Sequence, residues 1–245
     1  MLKWFSEKKE EELDALDFSV LKTDLHSHFI PGIDDGSPDM ETSINLIKEM
    51  QKLGFSKVIT TPHVMSDFYK NSSEIILQGL QAIHTELEKQ NINMEIAAAA
   101  EYYIDYDFEQ KIGKQKLLTF GDNYLLVELS FVEPPKNLFD VIFKLQLEGY
   151  KVILAHPERY HYFQMKHYEE LISRGVLLQI NWLSLIDYYS SQIKEKAIDL
   201  ITKNMVSFIG TDCHNMTHAE LYKKCQKTKV WHDLYNSGQL LNSTL

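Results

Sequence analysis

Cysteine is scarce in this 245-residue chain, with Cys213 and Cys225 the only two. They form no CxxC pair and are too few for a disulfide framework, which fits a reducing compartment. Long hydrophobic runs are also missing. No apolar stretch approaches the ~20 residues that cross a bilayer, so membrane insertion is excluded. Residues Lys3 to Asp17 mix Lys8 and Lys9 with Glu7, Glu10, Glu11 and Glu12 and have no apolar signal core, so this stretch is not a secretory signal. A cytoplasmic location is expected. Positive charge is in short supply: 25 Lys+Arg face 35 Asp+Glu, for a net charge of -10, and Arg159 and Arg174 are the only arginines. That excludes a nucleic-acid partner held through its phosphates. Gly/Ser/Pro linkers and internal repeats are lacking too, so a charged arm over residues 1–17 is expected to precede one domain over 18–245.

What is present is alternation. Hydrophobic content of 44% and charged content of 24% are those of an ordinary globular protein. Seven short apolar runs, at 20–26, 57–61, 95–101, 124–129, 151–156, 176–181 and 206–211, alternate with amphipathic stretches. Leu125-Leu126-Val127 and Val152-Ile153-Leu154-Ala155 are apolar without interruption, as strands covered on both faces should be. Helices are expected over Ser43 to Leu53, Ser72 to Gln90, Asn137 to Leu147 and Ser190 to Lys203, two of them stopped by Gly54 and Gly149. Ala97 to Ala100 favours helix by propensity, yet the alternation requires a strand there. The class is α/β with a parallel sheet.

The first run ends in Asp24-Leu25-His26-Ser27-His28. Side chains of an extended strand alternate with period two, which puts Asp24, His26 and His28 on one face. Two imidazoles and a carboxylate are half of a metal site, although a lone HxH pair is as readily a chance feature. The other runs break the tie. They end in Thr61-Pro62-His63, Glu101, Glu128, His156, Asn181, and Asp212 with His214, so six of the seven carry a potential metal ligand. In barrels of parallel strands such residues converge over one face. Glu128 sits inside Leu-Leu-Val-Glu-Leu, where an unpartnered charge is costly to bury. Asp212 is also a candidate N-cap for a helix over Met216 to Lys227. His84, His161, His167 and His232 read as bystanders.

In order and over most of the chain, DLHSH, TPH, the strand-end glutamates, AHPERY and GTDCHN resemble the polymerase-and-histidinol-phosphatase (PHP) superfamily of metal-dependent phosphoesterases. Gly32-Ile33-Asp34-Asp35-Gly36 and His156-Pro157-Glu158-Arg159 are similar to its branch of bacterial protein tyrosine phosphatases tied to capsule and exopolysaccharide synthesis. The resemblance implies a distorted, TIM-like, seven-stranded (β/α) barrel holding two or three divalent ions, manganese first, with Fe, Zn, Co or Mg as alternatives. It assigns His26, His28, Glu101 and Asp212 to one ion, and Glu101 again with Glu128 and His156 to a second. Asp35, His63 and His214 go to a third, with Asp34 the rival of Asp35. The partner implied is a phosphotyrosine protein, such as a bacterial tyrosine kinase or chain-length regulator, and a homo-oligomer stays open. Members of the branch often carry an arginine shortly after the last DxH motif. This chain has Asn215-Met216-Thr217-His218-Ala219, with His218 as the candidate substitute.

Arg159 is the expected phosphate-binding residue, since a guanidinium offers a bidentate fork to phosphate oxygens. Asp24 is expected to orient His26 or another ligand by a hydrogen bond, and His214 is a candidate general acid. Neither Cys213 nor Cys225 has an arginine six residues on, which excludes a thiolate nucleophile with a phosphate cradle. Three other readings stand beside the main one: a small-molecule phosphatase of the histidinol-phosphatase type, an amidohydrolase, and a non-catalytic metal-stabilised partner module.

Overall fold

The computed structural model describes residues 13–245. Residues 1–12 of the expected charged arm lie outside the described residues. Leu13 to Asp17 run along the C-terminal helices: Leu16 N–H donates to Gln226 O at 3.0 Å, and Trp231 Nε1 donates to Leu16 O at 2.7 Å.

Among the described residues there are nine strands, all parallel to their neighbours. They are β1 (Thr23–Asp24), β2 (Lys57–Thr60), β3 (His63–Val64), β4 (Glu95–Ala98), β5 (Glu101–Tyr103), β6 (Tyr124–Glu128), β7 (Lys151–Ala155), β8 (Leu177–Asn181) and β9 (Phe208–Gly210). They form a three-stranded sheet, β1-β2-β4, and a six-stranded sheet, β3-β5-β6-β7-β8-β9. A mixed α/β fold with parallel sheets is therefore as the alternation predicts, but seven runs have become nine strands in two sheets. The reason is local. Pro62 has no N–H to continue a ladder, and the second run breaks there into β2 and β3. The third breaks at Ala99-Ala100 into β4 and β5.

Helices fill the connections. Their ranges are α1 (Met40–Lys52), α2 (Ser73–Lys89), α3 (Tyr106–Lys111), α4 (Leu138–Leu147), α5 (Met165–Ser173), α6 (Ser191–Thr202), α7 (Met216–Cys225) and α8 (Lys229–Ser237). α1 starts before the expected Ser43 because Asp39 caps it, accepting from Thr42 N–H at 2.8 Å. α7 is capped by Asn215, whose Oδ1 accepts from His218 N–H at 3.0 Å, so Asp212 is not its cap.

Both faces of the sheets are buried, and alternation sorts the side chains. Ile59, Leu126, Ile153 and Phe208 pack in an inner cluster. Leu125, Val127, Val152 and Leu154 face outward into the larger cluster beneath the helices. The inner parity then delivers the polar ends: Glu128 follows Leu126 by two residues, Gln179 and Asn181 are two apart, and Asp212 follows Phe208 and Gly210 at the same spacing.

Candidate metal centre

The nine metal-ligand candidates come together. His26 and His28 follow β1, Asp35 sits in the turn before α1, His63 opens β3, Glu101 opens β5, Glu128 closes β6, His156 follows β7, and Asp212 and His214 follow β9. Their donor atoms fall into four overlapping groups that could hold metal: His28/Asp35/His63/His214, His26/His28/Glu101, His26/His156/Asp212 and His63/Glu101/Glu128. Glu101 is the hub, with Oε2 at 3.2 Å from His26 Nε2 and 3.1 Å from His63 Nδ1, and Oε1 at 3.0 Å from His156 Nε2. His156 and Asp212 hold positive φ of 33° and 52°, a left-handed backbone that is uncommon outside glycine and clusters at functional sites. His84, His161, His167 and His232 are in none of these groups.

Where the histidine protons reside decides what the cluster can bind. His26 Nδ1 lies 2.7 Å from Gln179 Oε1, His28 Nδ1 lies 2.8 Å from Asp34 Oδ2, and His214 Nδ1 lies 2.9 Å from the Asp212 carbonyl. Each partner is an acceptor, so each Nδ1 carries the proton and each Nε2 presents a lone pair inward. The Gln179 orientation is itself fixed, because its Nε2 donates to Ile180 O at 2.7 Å and Asn181 Oδ1 at 2.9 Å. As a result the Nε2 atoms of His26 and His28, 3.3 Å apart, both turn inward toward the Glu101 and Asp212 carboxylates, where a cation is favoured. His63 Nδ1 and His156 Nδ1 are buried without a hydrogen-bond partner. Converging lone pairs and carboxylates need a cation, and imidazole with carboxylate is a donor set for transition-metal ions. The residues fit a metal.

The electrostatics agree. Burial opposes charge on His26, but Glu101 and Asp212 outweigh it and raise the histidine's pKa, so positive charge is favoured at the centre. Burial pushes Glu128 well above the carboxylate range, with repulsion from Glu101 and Asp212 adding to it. Burial likewise works against Glu101, yet His26 and His63 hold it well below that range. One carboxylate of the Glu101/Glu128 pair thus stays protonated unless a cation lies between them. His156 is pushed down to about 4, chiefly by burial, and is neutral and ready to ligate.

The rival aspartates part company. Asp34 Oδ2 accepts from His28 Nδ1 and from His63 N–H, the latter at 3.1 Å, and Oδ1 accepts from Gly36 N–H at 3.0 Å, so Asp34 orients a ligand. Asp35 Oδ1 faces the cluster, 3.6 Å from His63 Nε2 and 3.5 Å from His214 Nε2. Gly36 is required here, since a Cβ would lie 2.3 Å from the His28 carbonyl oxygen.

Three residues with expected roles make other contacts. Asp24 does not hold the His26 ring: its carboxylate accepts from Thr211 N–H at 2.9 Å and Thr211 Oγ1 at 2.7 Å. Gln179, unmarked in the sequence reading, holds His26 instead. His214 Nδ1 lies against a backbone carbonyl, and its Nε2 turns inward, 3.5 Å from Asp35 Oδ1. His218 makes a poor substitute for an arginine, since Nδ1 accepts from His214 N–H at 3.4 Å and Nε2 meets Tyr188 OH at 3.0 Å.

The centre opens into a pocket of about 340 Å³ lined by Asp35, His63, Glu128, Phe131, Arg159 and Tyr188 among others. Arg159 stands at its side. Its guanidinium carbon lies 4.5 Å from the Phe131 ring centroid and 4.7 Å from that of Tyr189, and Nη1 is 3.4 Å from Asp212 Oδ2. Asn181, also unmarked as a site residue, donates from Nδ2 to that Asp212 oxygen at 2.7 Å.

A parallel α/β scaffold whose strand ends carry a buried His/Asp/Glu cluster with lone pairs turned inward defines a metal-centred protein of the TIM-barrel-like kind. The comparisons identify which. A family model described as "Capsular polysaccharide synthesis, CpsB/CapC" matches residues 22–231, and the chain belongs to that family. It is 30% identical over 196 residues to the tyrosine-protein phosphatase YwqE of Bacillus subtilis, covering 79% of this chain and 77% of the relative. It is 26% identical to the tyrosine-protein phosphatase CpsB of Streptococcus agalactiae, covering 79% and 83%. A solved structure from work on YwqE of B. subtilis and CpsB of Streptococcus pneumoniae, described there as metal-dependent tyrosine phosphatases, superposes with a TM-score of 0.78 at 26% identity over 87% of this chain and 91% of that one. A lactonase from Listeria monocytogenes shares the fold alone, at a TM-score of 0.54 and 12% identity.

Proposed function

We propose that this chain is a metal-dependent phosphomonoester hydrolase that dephosphorylates protein tyrosine residues in a capsular or exopolysaccharide synthesis system. The observation that carries the reading is the set of inward lone pairs on His26, His28 and His214, each fixed by an acceptor on its other nitrogen, beside a side-on arginine. Family membership and its likeness to named tyrosine phosphatases support it. In this reading His26, His28, Glu101 and Asp212 would hold one ion. Glu101, Glu128 and His156 would hold a second, and Asp35, His63 and His214 a third. The mixed nitrogen and oxygen donors suit a transition-metal ion, and the family resemblance puts manganese first, with iron, zinc, cobalt or magnesium as alternatives. When bound, divalent ions there activate water as a nucleophile near neutral pH and draw charge from phosphoryl oxygens.

The chain's own residues do the rest. Arg159 takes phosphate oxygens, its plane held between Phe131 and Tyr189 so that the fork is oriented before substrate arrives. Four carboxylates, Asp35, Glu101, Glu128 and Asp212, do not fully neutralise three divalent cations, and a dianionic phosphomonoester completes the balance. A phenolate, whose conjugate acid has a pKa of ~10, leaves without a strong general acid. That favours phosphotyrosine over alkyl esters. The phosphoprotein would be a tyrosine kinase or chain-length regulator met in the cytoplasm; no helix among the described residues is long and apolar enough to cross a membrane. Residues 18–245 form one domain in this reading. With β2 and β3 counted as one interrupted strand and β4 and β5 as another, its two sheets would make one distorted seven-stranded barrel, closing at the Ser27–Cys213 bridge.

The test is turnover of a phosphotyrosine peptide beside elemental analysis of protein purified without chelator. Two or three ions per chain and loss of turnover in EDTA are expected. Undiminished turnover in excess EDTA, with no metal found, would refute the proposal.

A further inference from the structure

A second cleft lies on the other side of β3. Its volume is about 590 Å³, against about 340 Å³ for the pocket at the metal centre, and residues 64–74 and the region of α3 wall it. The two share a partition. His63 belongs to the metal cluster while its neighbour Val64 lines the cleft, and the Tyr69 ring, also in the cleft wall, lies nearly parallel to the His63 ring at 5.6 Å and 12°. Asn71 Nδ2 donates to Ile33 O at 3.0 Å and His63 O at 2.8 Å, fastening the segment before α2 to the turn that carries Asp34 and Asp35. The metal centre and the cleft therefore stand on either side of the His63–Tyr69 wall.

The lining has a chemical bias. In a chain of net charge -10, Lys70, Lys111 and Lys116 converge on this cleft, and among the described residues none of the three is in an ion pair. Glu74 and Asp107 also line it and leave the lysines in excess. Beside the lysines stand apolar rings. Phe68 and Tyr106 are each 74% exposed, and they neighbour the cleft residues Tyr69 and Asp107. Their loops are tied together, since Ser66 donates to Asp105 Oδ2 from both N–H, at 3.1 Å, and Oγ, at 2.6 Å. Large exposed aromatics beside unpaired cations are the composition of a polypeptide interface rather than of an idle surface.

We infer that this cleft binds the substrate polypeptide next to its phosphotyrosine, an acidic stretch lying against Lys70, Lys111 and Lys116 and an apolar side chain against Phe68 and Tyr106. The inference rests on the phosphotyrosine reading of the metal centre and adds the sequence context that the enzyme selects. Nucleic acid is not the partner, because the whole chain is strongly acidic.

The test compares two synthetic phosphotyrosine peptides, one with flanking glutamates and one with glutamines, against p-nitrophenyl phosphate, which cannot reach the cleft. The glutamate peptide should have a kcat/KM about tenfold higher at low salt, with the advantage shrinking as ionic strength rises. The triple variant Lys70→Glu, Lys111→Glu, Lys116→Glu should reverse that preference. Phe68→Ala with Tyr106→Ala should lower the ratio of peptide to p-nitrophenyl phosphate turnover for both peptides. Equal kcat/KM for the two peptides, or a preference that survives the triple variant, overturns the cleft's role while leaving the metal centre intact. No turnover of p-nitrophenyl phosphate by the metal-loaded wild type overturns the phosphatase reading, and the cleft inference with it.

Discussion

Replacing Gln179 by leucine removes a group that touches no substrate, yet the structure makes the metal centre depend on it. Gln179 is fully buried and accepts the Nδ1 proton of His26 at 2.7 Å. Leucine is similar in volume but leaves that N–H unpaired, at about 1–3 kcal/mol. The imidazole escapes the penalty by moving its proton to Nε2, and an Nε2–H cannot bind metal. Removing the hydrogen-bond partner of a ligating histidine weakens metal binding by roughly 10- to 100-fold, or about 1.4–2.7 kcal/mol. The upper end is expected here, because leucine also takes away the donor that Gln179 Nε2 offers to Asn181 Oδ1, and Asn181 in turn holds Asp212. The assay is a metal titration of apoprotein followed by stoichiometry, with thermal melts with and without metal to separate lost affinity from lost folding. A Gln179→Leu protein that binds metal like wild type would refute the proton placement from which the site was argued.

Arg159→Ala should keep the metal content and lower kcat/KM for a phosphotyrosine peptide by roughly 10²-fold, about 2.7 kcal/mol, with Arg159→Lys recovering only part; metal loss instead would show that its contact with Asp212 is structural. Asp24→Asn should keep both metal and activity, because burial raises Asp24 to about 7 and a neutral amide can still accept from Thr211 N–H; a loss as large as that of His26→Ala would restore a catalytic role. Cys213→Ser should retain most activity, since burial pushes this thiol far up and no arginine cradle accompanies it; a trapped phosphocysteine would contradict that. Gly210→Ala should lower stability and metal binding together, as its Cβ would sit 2.8 Å from His26 Cβ and 2.9 Å from Gln179 Nε2; unchanged melting and metal content would count against the packing described.

The candidate metal ligands other than Asp35 were legible because each stands where an apolar run stops, and the end of a run is a local feature of the chain. What holds those ligands was not, because it is set by which strand lies opposite. Gln179 reaches His26 only once β8 is beside β9, in the register that pairs Gln179 with Phe208 and Asn181 with Gly210. A signal did exist. Gln179 and Asn181 alternate inside Val-Leu-Leu-Gln-Ile-Asn, where buried polar side chains need partners. Asp34 and Asp35 are adjacent in sequence and part only through the turn that Gly36 permits. Short helices escaped for a different reason: α3 has six residues, too few to show a period, and α5 is capped by Gln164 with His167, an unusual pair. The breaks that make nine strands of seven runs fall at Pro62 and at Ala99-Ala100, and only the proline announces itself.

Several residues proposed to bind metal also join the first strand to the last. Asp212 N–H donates to His26 O at 2.7 Å, and His28 N–H donates to Cys213 O at 3.0 Å. Asp24 holds Thr211 through both of its oxygens, and Thr211 Oγ1 is 3.0 Å from His26 O. A metal held by His26, His28 and Asp212 would therefore brace the seam that these bonds form between the β1 and β9 ends. Without a cation, burial and then the nearby Glu101 and Asp212 carboxylates work against charge on Glu128. Binding free energy and folding free energy are then coupled: each ion that binds only the native state adds RT ln(1 + [M]/Kd), about 2.7 kcal/mol at a hundredfold excess over Kd. This is why loss of metal should destabilise the seam between the chain's two ends before it loosens the β6–β7 pairing, where the backbone ladder runs from Tyr124 to Val127 with no metal ligand in it.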